Sequence, residues 1–210
     1  MSVSSAPLSV VLSDASPDDA GGGARSPAAT ISLIGLPGSG KSTVGGQLAR
    51  RLQQPFVDSD HVIEQRLGCP IREFFEREGE ARFREIESAV LAELLREGCG
   101  VLSTGGGAVL RPENRTVLRE KSRVFYLHSA PEELMRRLRH DTQRPLLQVA
   151  DPLARLRELH LARDPLYRET AHFILETGRP SVATLVNMIC MQLELSAAQR
   201  LQATPSPTSP

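Results

Sequence analysis

The sequence carries no surplus of either charge, with 25 Lys and Arg against 25 Asp and Glu. A protein that grips nucleic acid by neutralising phosphates would show a basic surplus, so no nucleic-acid partner is expected. No apolar run approaches the roughly 18 residues of a membrane span, so no membrane partner is expected either. Cysteine occurs three times, at Cys69, Cys99 and Cys190, and no pair forms a C-x-x-C. An odd, widely spaced set argues against a disulfide scaffold or a cysteine zinc site, and suits thiols in a reducing, cytoplasmic compartment. Tryptophan is absent, and lysine occurs only at Lys41 and Lys121. A chain that uses arginine nearly everywhere yet keeps Lys41 points to a need there for a compact ammonium rather than a planar fork.

What is present is globular in balance: 210 residues, 40% hydrophobic and 24% charged. That length suits one domain with tails. Residues 1–28 are rich in Ser, Ala, Pro, Gly and Asp without apolar periodicity, and are expected to form a disordered tail. They match neither a signal peptide nor a transit peptide, having no basic start and more Asp than Arg. A second disordered tail is expected over 196–210, which leaves a folded part over 29–195. No apolar seam or heptad run is evident, so a monomer is expected.

Within the folded part, short apolar runs alternate with helical patterns. Strands are predicted at 31–34, 55–57, 101–102, 124–127 and 173–175. Helices are predicted from Lys41, around 62–67, around Phe74 and Phe75, over 83–95, from Pro112, from Pro131, over 153–161 and over 182–195. This alternation implies an α/β fold with a parallel sheet in a three-layer α/β/α sandwich. Ligands should gather at the carboxyl ends of its strands. The polar stretch over about 140–151 reads as a mobile lid.

Six motifs fall at those strand ends or in the lid. Gly35-Leu36-Pro37-Gly38-Ser39-Gly40-Lys41-Ser42 matches the phosphate-binding loop G-x-x-x-x-G-K-[ST]. At average composition a chance match somewhere in this chain is on the order of 1%, and the strand before and helix after lower it further. Inward-turned N–H groups and a helix N-terminus suit phosphate oxygens there. Lys41 would reach the terminal phosphates, and Ser42 would hold Mg²⁺.

Asp58-Ser59-Asp60 follows a strand. If the chain stays extended the two carboxylates share a face, one serving Mg²⁺ through water and the other a substrate hydroxyl. Helix capping is the competing reading. Arg84 and Glu87 lie three apart, either as a held guanidinium ready for a substrate carboxylate or as part of a solvated face. Gly105, Gly106 and Gly107 mark a close approach, either to a substrate or between two loops. Arg144 falls in the lid, where closure would bring it onto the γ-phosphate. Arg163 opens Arg-Asp-Pro-Leu-Tyr. The five histidines show no metal spacing and read as surface or satisfied residues.

Taken in order, these motifs resemble the shikimate kinase family over about Ile31 to Leu195. The carrying residues are Gly-Leu-Pro-Gly-Ser-Gly-Lys-Ser, Asp-Ser-Asp, Gly-Glu-x-x-Phe-Arg-x-x-Glu, Gly-Gly-Gly-Ala, Arg-Pro-Leu-Leu and Arg-x-Pro-Leu-Tyr. The resemblance implies a five-stranded parallel sheet of the P-loop kinase type with a mobile lid. It implies Mg²⁺-dependent transfer of the ATP γ-phosphate to the 3-hydroxyl of shikimate, with ATP and shikimate as ligands. The residues it would use for ATP are Gly38, Ser39, Gly40, Lys41, Ser42, Thr43, Arg137, Arg144 and, more loosely, Arg179. Ser42 and, through water, Asp58 would hold the metal. Asp60, Arg84, Gly105, Gly106, Gly107 and Arg163 would bind shikimate, with Asp60 as the base and Lys41 and Arg144 aiding catalysis. Phe75 and Phe83 would line the ring pocket or belong to the core. Two other readings stay open: a kinase of another hydroxylated acid such as gluconate, and an ATP-binding switch without turnover.

Overall fold

The computed structural model describes residues 30–138 and 150–202. Five strands form one parallel sheet: β1 (Thr30–Ile34), β2 (Phe56–Asp58), β3 (Val101–Ser103), β4 (Ser122–His128) and β5 (Phe173–Glu176), in the order β2-β3-β1-β4-β5. The helices are α1 (Lys41–Leu52), α2 (Ser59–Leu67), α3 (Ile71–Glu97), α4 (Pro112–Lys121), α5 (Pro131–Leu138), α6 (Pro152–Thr170) and α7 (Val182–Gln202).

The two-residue period of the strands divides the core. On β4, Phe125 and Leu127 pack with Val44 and Leu48 of α1 and Leu185 and Ile189 of α7. Val124 and Tyr126 face the opposite way, onto Leu91 of α3, Leu118 of α4, Leu134 of α5 and Leu156 of α6. The expected three-layer sandwich follows directly. A third cluster, built on Ile63, Phe74, Phe83 and Val90, joins α2 to α3 beside the sheet.

Several boundaries differ from expectation. The two helices predicted around Phe74 and Phe83 follow each other without a loop, because Gly79 bends the chain at φ 81° inside α3. Helix α6 does not stop at Leu161 but runs to Thr170 through Pro165. Pro165 and Leu161 are both exposed, so the carbonyl left without its helical donor faces solvent. Helix α7 extends to Gln202, so residues 196–202, expected in the C-terminal tail, are helical. The expected N-terminal tail lies outside the described residues, as does all of the expected lid except 150 and 151. Asp151 accepts a hydrogen bond from the Ala154 N–H at 2.9 Å and caps α6.

Candidate active site

The Gly-rich turn runs from the end of β1 into α1. Gly38 and Gly40 sit at φ 85° and 95°, a left-handed backbone that glycine adopts without strain and that turns the loop's N–H groups inward. Lys41 begins the helix and is only 8% exposed. Its ammonium donates to the Gly35 and Leu36 carbonyls at 2.9 and 3.1 Å, so it lies folded against the loop. Ser42 donates to Asp58 Oδ2 at 2.8 Å, which joins the loop to the end of β2. A cleft of about 370 Å³ opens here, with Gly38, Gly40, Lys41, Ser42, Thr43, Asp58, Asp60, Gly106 and Arg137 on its walls. Ser39 turns inward instead and is buried.

Asp58 and Asp60 do meet in the cleft, but not as an extended pair. Asp58 ends β2 and caps α2, accepting the Asp60 N–H at 3.1 Å, and Asp60 stands in the first helical turn. Capping and site geometry therefore coincide: the tight cap carries Asp60 around to the same wall. Burial and the neighbouring Asp58 carboxylate push the Asp60 carboxyl up to about 6, while Lys41 pulls the other way. A carboxylate so poised accepts a proton near neutral pH.

The three glycines lie between this carboxylate and two arginines. None of them has positive φ among the described residues, so close approach is the reason for them. A Cβ on Gly105 would fall 2.5 Å from Asp60 Oδ1, one on Gly106 would strike Pro37 at 2.8 Å, and one on Gly107 would collide with the Arg84 guanidinium. The loop thus packs tightly against Pro37 and against the side chains of Asp60 and Arg84, the packing reading of the motif.

Arg84 donates to Glu87 Oε2 at 2.7 Å and to Glu80 Oε1 at 2.9 Å. Glu87 is 2% exposed. The pair is thus a half-buried guanidinium held by a buried carboxylate and not a solvated face. Burial works against the Arg84 charge, but Glu87 and Glu80 outweigh it and hold the guanidinium's pKa above its ordinary value. Arg163 donates to the Gly106 carbonyl at 3.1 Å, and the Tyr167 hydroxyl donates to the same oxygen at 2.6 Å.

The pairing of Glu87 with Arg84 is the one expected from their spacing, whereas Tyr167 closes the Arg-x-Pro-Leu-Tyr motif without an expected role in the site. Tyr167 had a usable signal: Arg163 and Tyr167 stand one turn apart, provided the helix continues through Pro165. Phe75 and Phe83 pack with centroids 4.5 Å apart and ring planes tilted by 35°, and the Arg84 guanidinium lies over both rings. Phe83 belongs to the α2–α3 core cluster with Phe75 packed against it, so these rings support Arg84 from the core.

Arg137 donates to the Thr177 carbonyl and hydroxyl at the edge of the cleft. Arg179 lies apart, in a separate depression beside Glu133 and Gly178. Arg144 lies outside the described residues.

A family model described as shikimate kinase matches residues 37–194. The shikimate kinase of Paracidovorax citrulli is 61% identical over 175 residues, covering 82% of this chain and 96% of that one. A structure of the Acinetobacter baumannii shikimate kinase in complex with shikimate superposes with a TM-score of 0.75 at 45% identity, covering 80% of this chain and 94% of that one. A gluconokinase from Sinorhizobium meliloti superposes at 0.52 with 19% identity, covering 86% of this chain and 100% of that one, and shares the fold alone. No described helix is long and apolar enough to cross a membrane. A phosphate loop joined to an acid–arginine site, and likeness along nearly the whole folded part to kinases that phosphorylate an alcohol, lead to one assignment: the chain belongs to the shikimate kinase family.

Proposed function

We propose that this chain transfers the γ-phosphate of ATP to the 3-hydroxyl of shikimate, giving shikimate 3-phosphate and ADP. The observation that carries the reading is the position of Asp60. It lines the phosphate cleft and touches Gly105, whose neighbours Gly106 and Gly107 adjoin Arg163 and Arg84. One carboxylate thus stands between the phosphoryl donor and a pair of guanidiniums suited to a substrate carboxylate.

In this reading, inward N–H groups of the loop from Gly38 to Thr43 hold the phosphates. Lys41 swings from its carbonyl partners onto the terminal phosphates. Arg84 and Arg163 hold the carboxylate of shikimate, and Glu87 and Tyr167 fix them and the Gly106 carbonyl in place. The Asp60 carboxylate takes the hydroxyl proton as oxygen attacks phosphorus and ADP leaves. The Ser42 hydroxyl and Asp58 carboxylate are hard oxygen donors side by side, a set that fits Mg²⁺. When bound there, Mg²⁺ supplies positive charge to the phosphate oxygens. Arg137 would stack on adenine, Arg144 would arrive from the lid, and Arg179 would sit at most beside the adenine edge. The protein would work as a cytoplasmic monomer.

ADP release from the purified protein with ATP and Mg²⁺ tests this, with shikimate, gluconate and nucleoside monophosphates as separate acceptors. Turnover should depend on shikimate. Turnover with another acceptor and none with shikimate would overturn the substrate, and ATP binding with no turnover at all would favour the switch.

Two further outcomes follow from the same reading. Arg84→Ala should raise the KM for shikimate by about 10²-fold, the value of a lost charge-assisted bidentate contact, and leave ATP affinity nearly unchanged by calorimetry. Equal loss of both affinities would make Arg84 purely structural. Deleting residues 1–28 should leave kcat and Tm unchanged, and a large fall in either would show that this segment packs on the domain.

A further inference from the structure

Away from the cleft, a second group of donor atoms converges. His128 closes β4, and His160 and Asp164 stand one turn apart on α6. One ligand atom from each lies within 4.8 Å of the other two. His128 Nε2 is 3.8 Å from Asp164 Oδ1. His160 Nδ1 is buried and has no hydrogen-bond partner among the described residues.

The surroundings of these atoms decide what they can do. His128 Nδ1 lies 2.6 Å from the Glu176 carboxylate on β5. A carboxylate only accepts, so Nδ1 carries a proton, and in the neutral tautomer this fixes, Nε2 is left with its lone pair on the side of Asp164. Asp164 is itself oriented: the Tyr126 hydroxyl donates to its Oδ1 at 2.9 Å and Arg168 to its Oδ2 at 2.7 Å. In that tautomer the Nε2 and Asp164 lone pairs face one another at 3.8 Å, an arrangement that a cation between them relieves.

We propose that His128, His160 and Asp164 form a three-ligand site for a divalent transition metal of the zinc class. Two imidazoles and one carboxylate are a donor set typical of zinc, with water in the fourth position. Bonds of about 2.0–2.1 Å place tetrahedral ligands about 3.3 Å apart, so small side-chain rotations close the site. Glu176 behind His128 is the carboxylate that commonly backs a metal-bound histidine, and Tyr126 and Arg168 orient the third ligand in the same way. The nitrogen donors set this site apart from the oxygen pair of Ser42 and Asp58, which suits magnesium. A bound ion would tie α6 to the carboxyl end of β4.

The test is titration of the full chain with Co²⁺ and then ZnCl₂, in excess Mg²⁺ and ADP so that the phosphate cleft is filled. One equivalent of Co²⁺ should bind with visible bands of a four- or five-coordinate centre and no thiolate charge-transfer band, and Zn²⁺ should displace it and raise Tm. His160→Ala should weaken Zn²⁺ about 100-fold, and Glu176→Gln about 10-fold, with native circular dichroism in both. Glu176 is exposed, so its variant keeps the test decisive if His160→Ala fails to fold. Wild-type binding no tighter than about 1 mM, equal binding by wild type and both variants, or a thiolate band would overturn the site. The cluster would then be an imidazolium held between two carboxylates.

Discussion

Asp60→Asn should cut turnover by about 10²–10⁴-fold and, at neutral pH, make the protein more stable. The loss of activity follows from its place in the cleft: an amide of nearly the same shape cannot accept the hydroxyl proton. A positioned general base is worth about 10²–10⁴-fold, so kcat should fall by at least 100-fold with little change in ATP affinity. The gain in stability follows from the raised pKa. Asp60 titrates at 3.8 in the ordinary case and at about 6 here, because it is buried and sits beside Asp58. Between those values the folded state holds a proton that the unfolded chain has released. Stability therefore falls as pH rises through the window, and the whole penalty is present above about pH 6. That penalty is at most roughly 3 kcal/mol at 1.36 kcal/mol per unit, and less to the extent that water reaches the carboxylate. Asparagine carries no charge to bury. At pH 8 the variant should melt several degrees above wild type, while below pH 4 the two should melt together. Calorimetric scans across pH 4–8 test the sign: a variant less stable than wild type at pH 8 would mean that Asp60 holds the fold together. The same pKa should appear as an acid limb near pH 6 in kcat/KM for shikimate, since that parameter reports the free enzyme.

Lys41→Ala should reduce kcat by about 10²–10³-fold or more, the range for losing one preorganised cationic or hydrogen-bonding group aimed at developing charge. Near-normal kcat would overturn the loop's role. Two features of the structure sharpen the expectation. Lys41 is buried and donates to two loop carbonyls, so its removal also loosens the Gly35–Leu36 turn. Lys41→Arg should not restore activity, because a planar fork does not fit a cradle shaped for a compact ammonium. Lys41 also holds down the Asp60 carboxyl. The acid limb of any residual activity should therefore move above pH 6 in Lys41→Ala.

Several features of this protein are local in the chain and were legible in its sequence. The phosphate loop needs glycine, lysine and serine at fixed spacing between a strand and a helix, and all three conditions are met within twenty residues. The parallel pairing of the sheet follows from apolar runs separated by helices, since parallel strands need crossovers. Arg84 and Glu87 could be paired because three residues is close to one helical turn. Helix ends were less legible. The helix predicted over 153–161 continues to Thr170, because a proline on a solvent face leaves its orphaned carbonyl in water. Asp58 and Asp60 left two readings open, an extended pair and a helix cap, and the cap that Asp58 makes turns the chain into α2 at once.

The remainder was decided by packing. The Asp60 pKa depends on burial and on charges brought from three separate elements. Tyr167 and Arg163 reach the Gly106 carbonyl from about sixty residues away in the chain. His128 and His160 lie on different elements, so no spacing rule could join them. Through-space distance sets electrostatics and hydrogen bonding alike, and only the packing of the helices against the sheet established those distances.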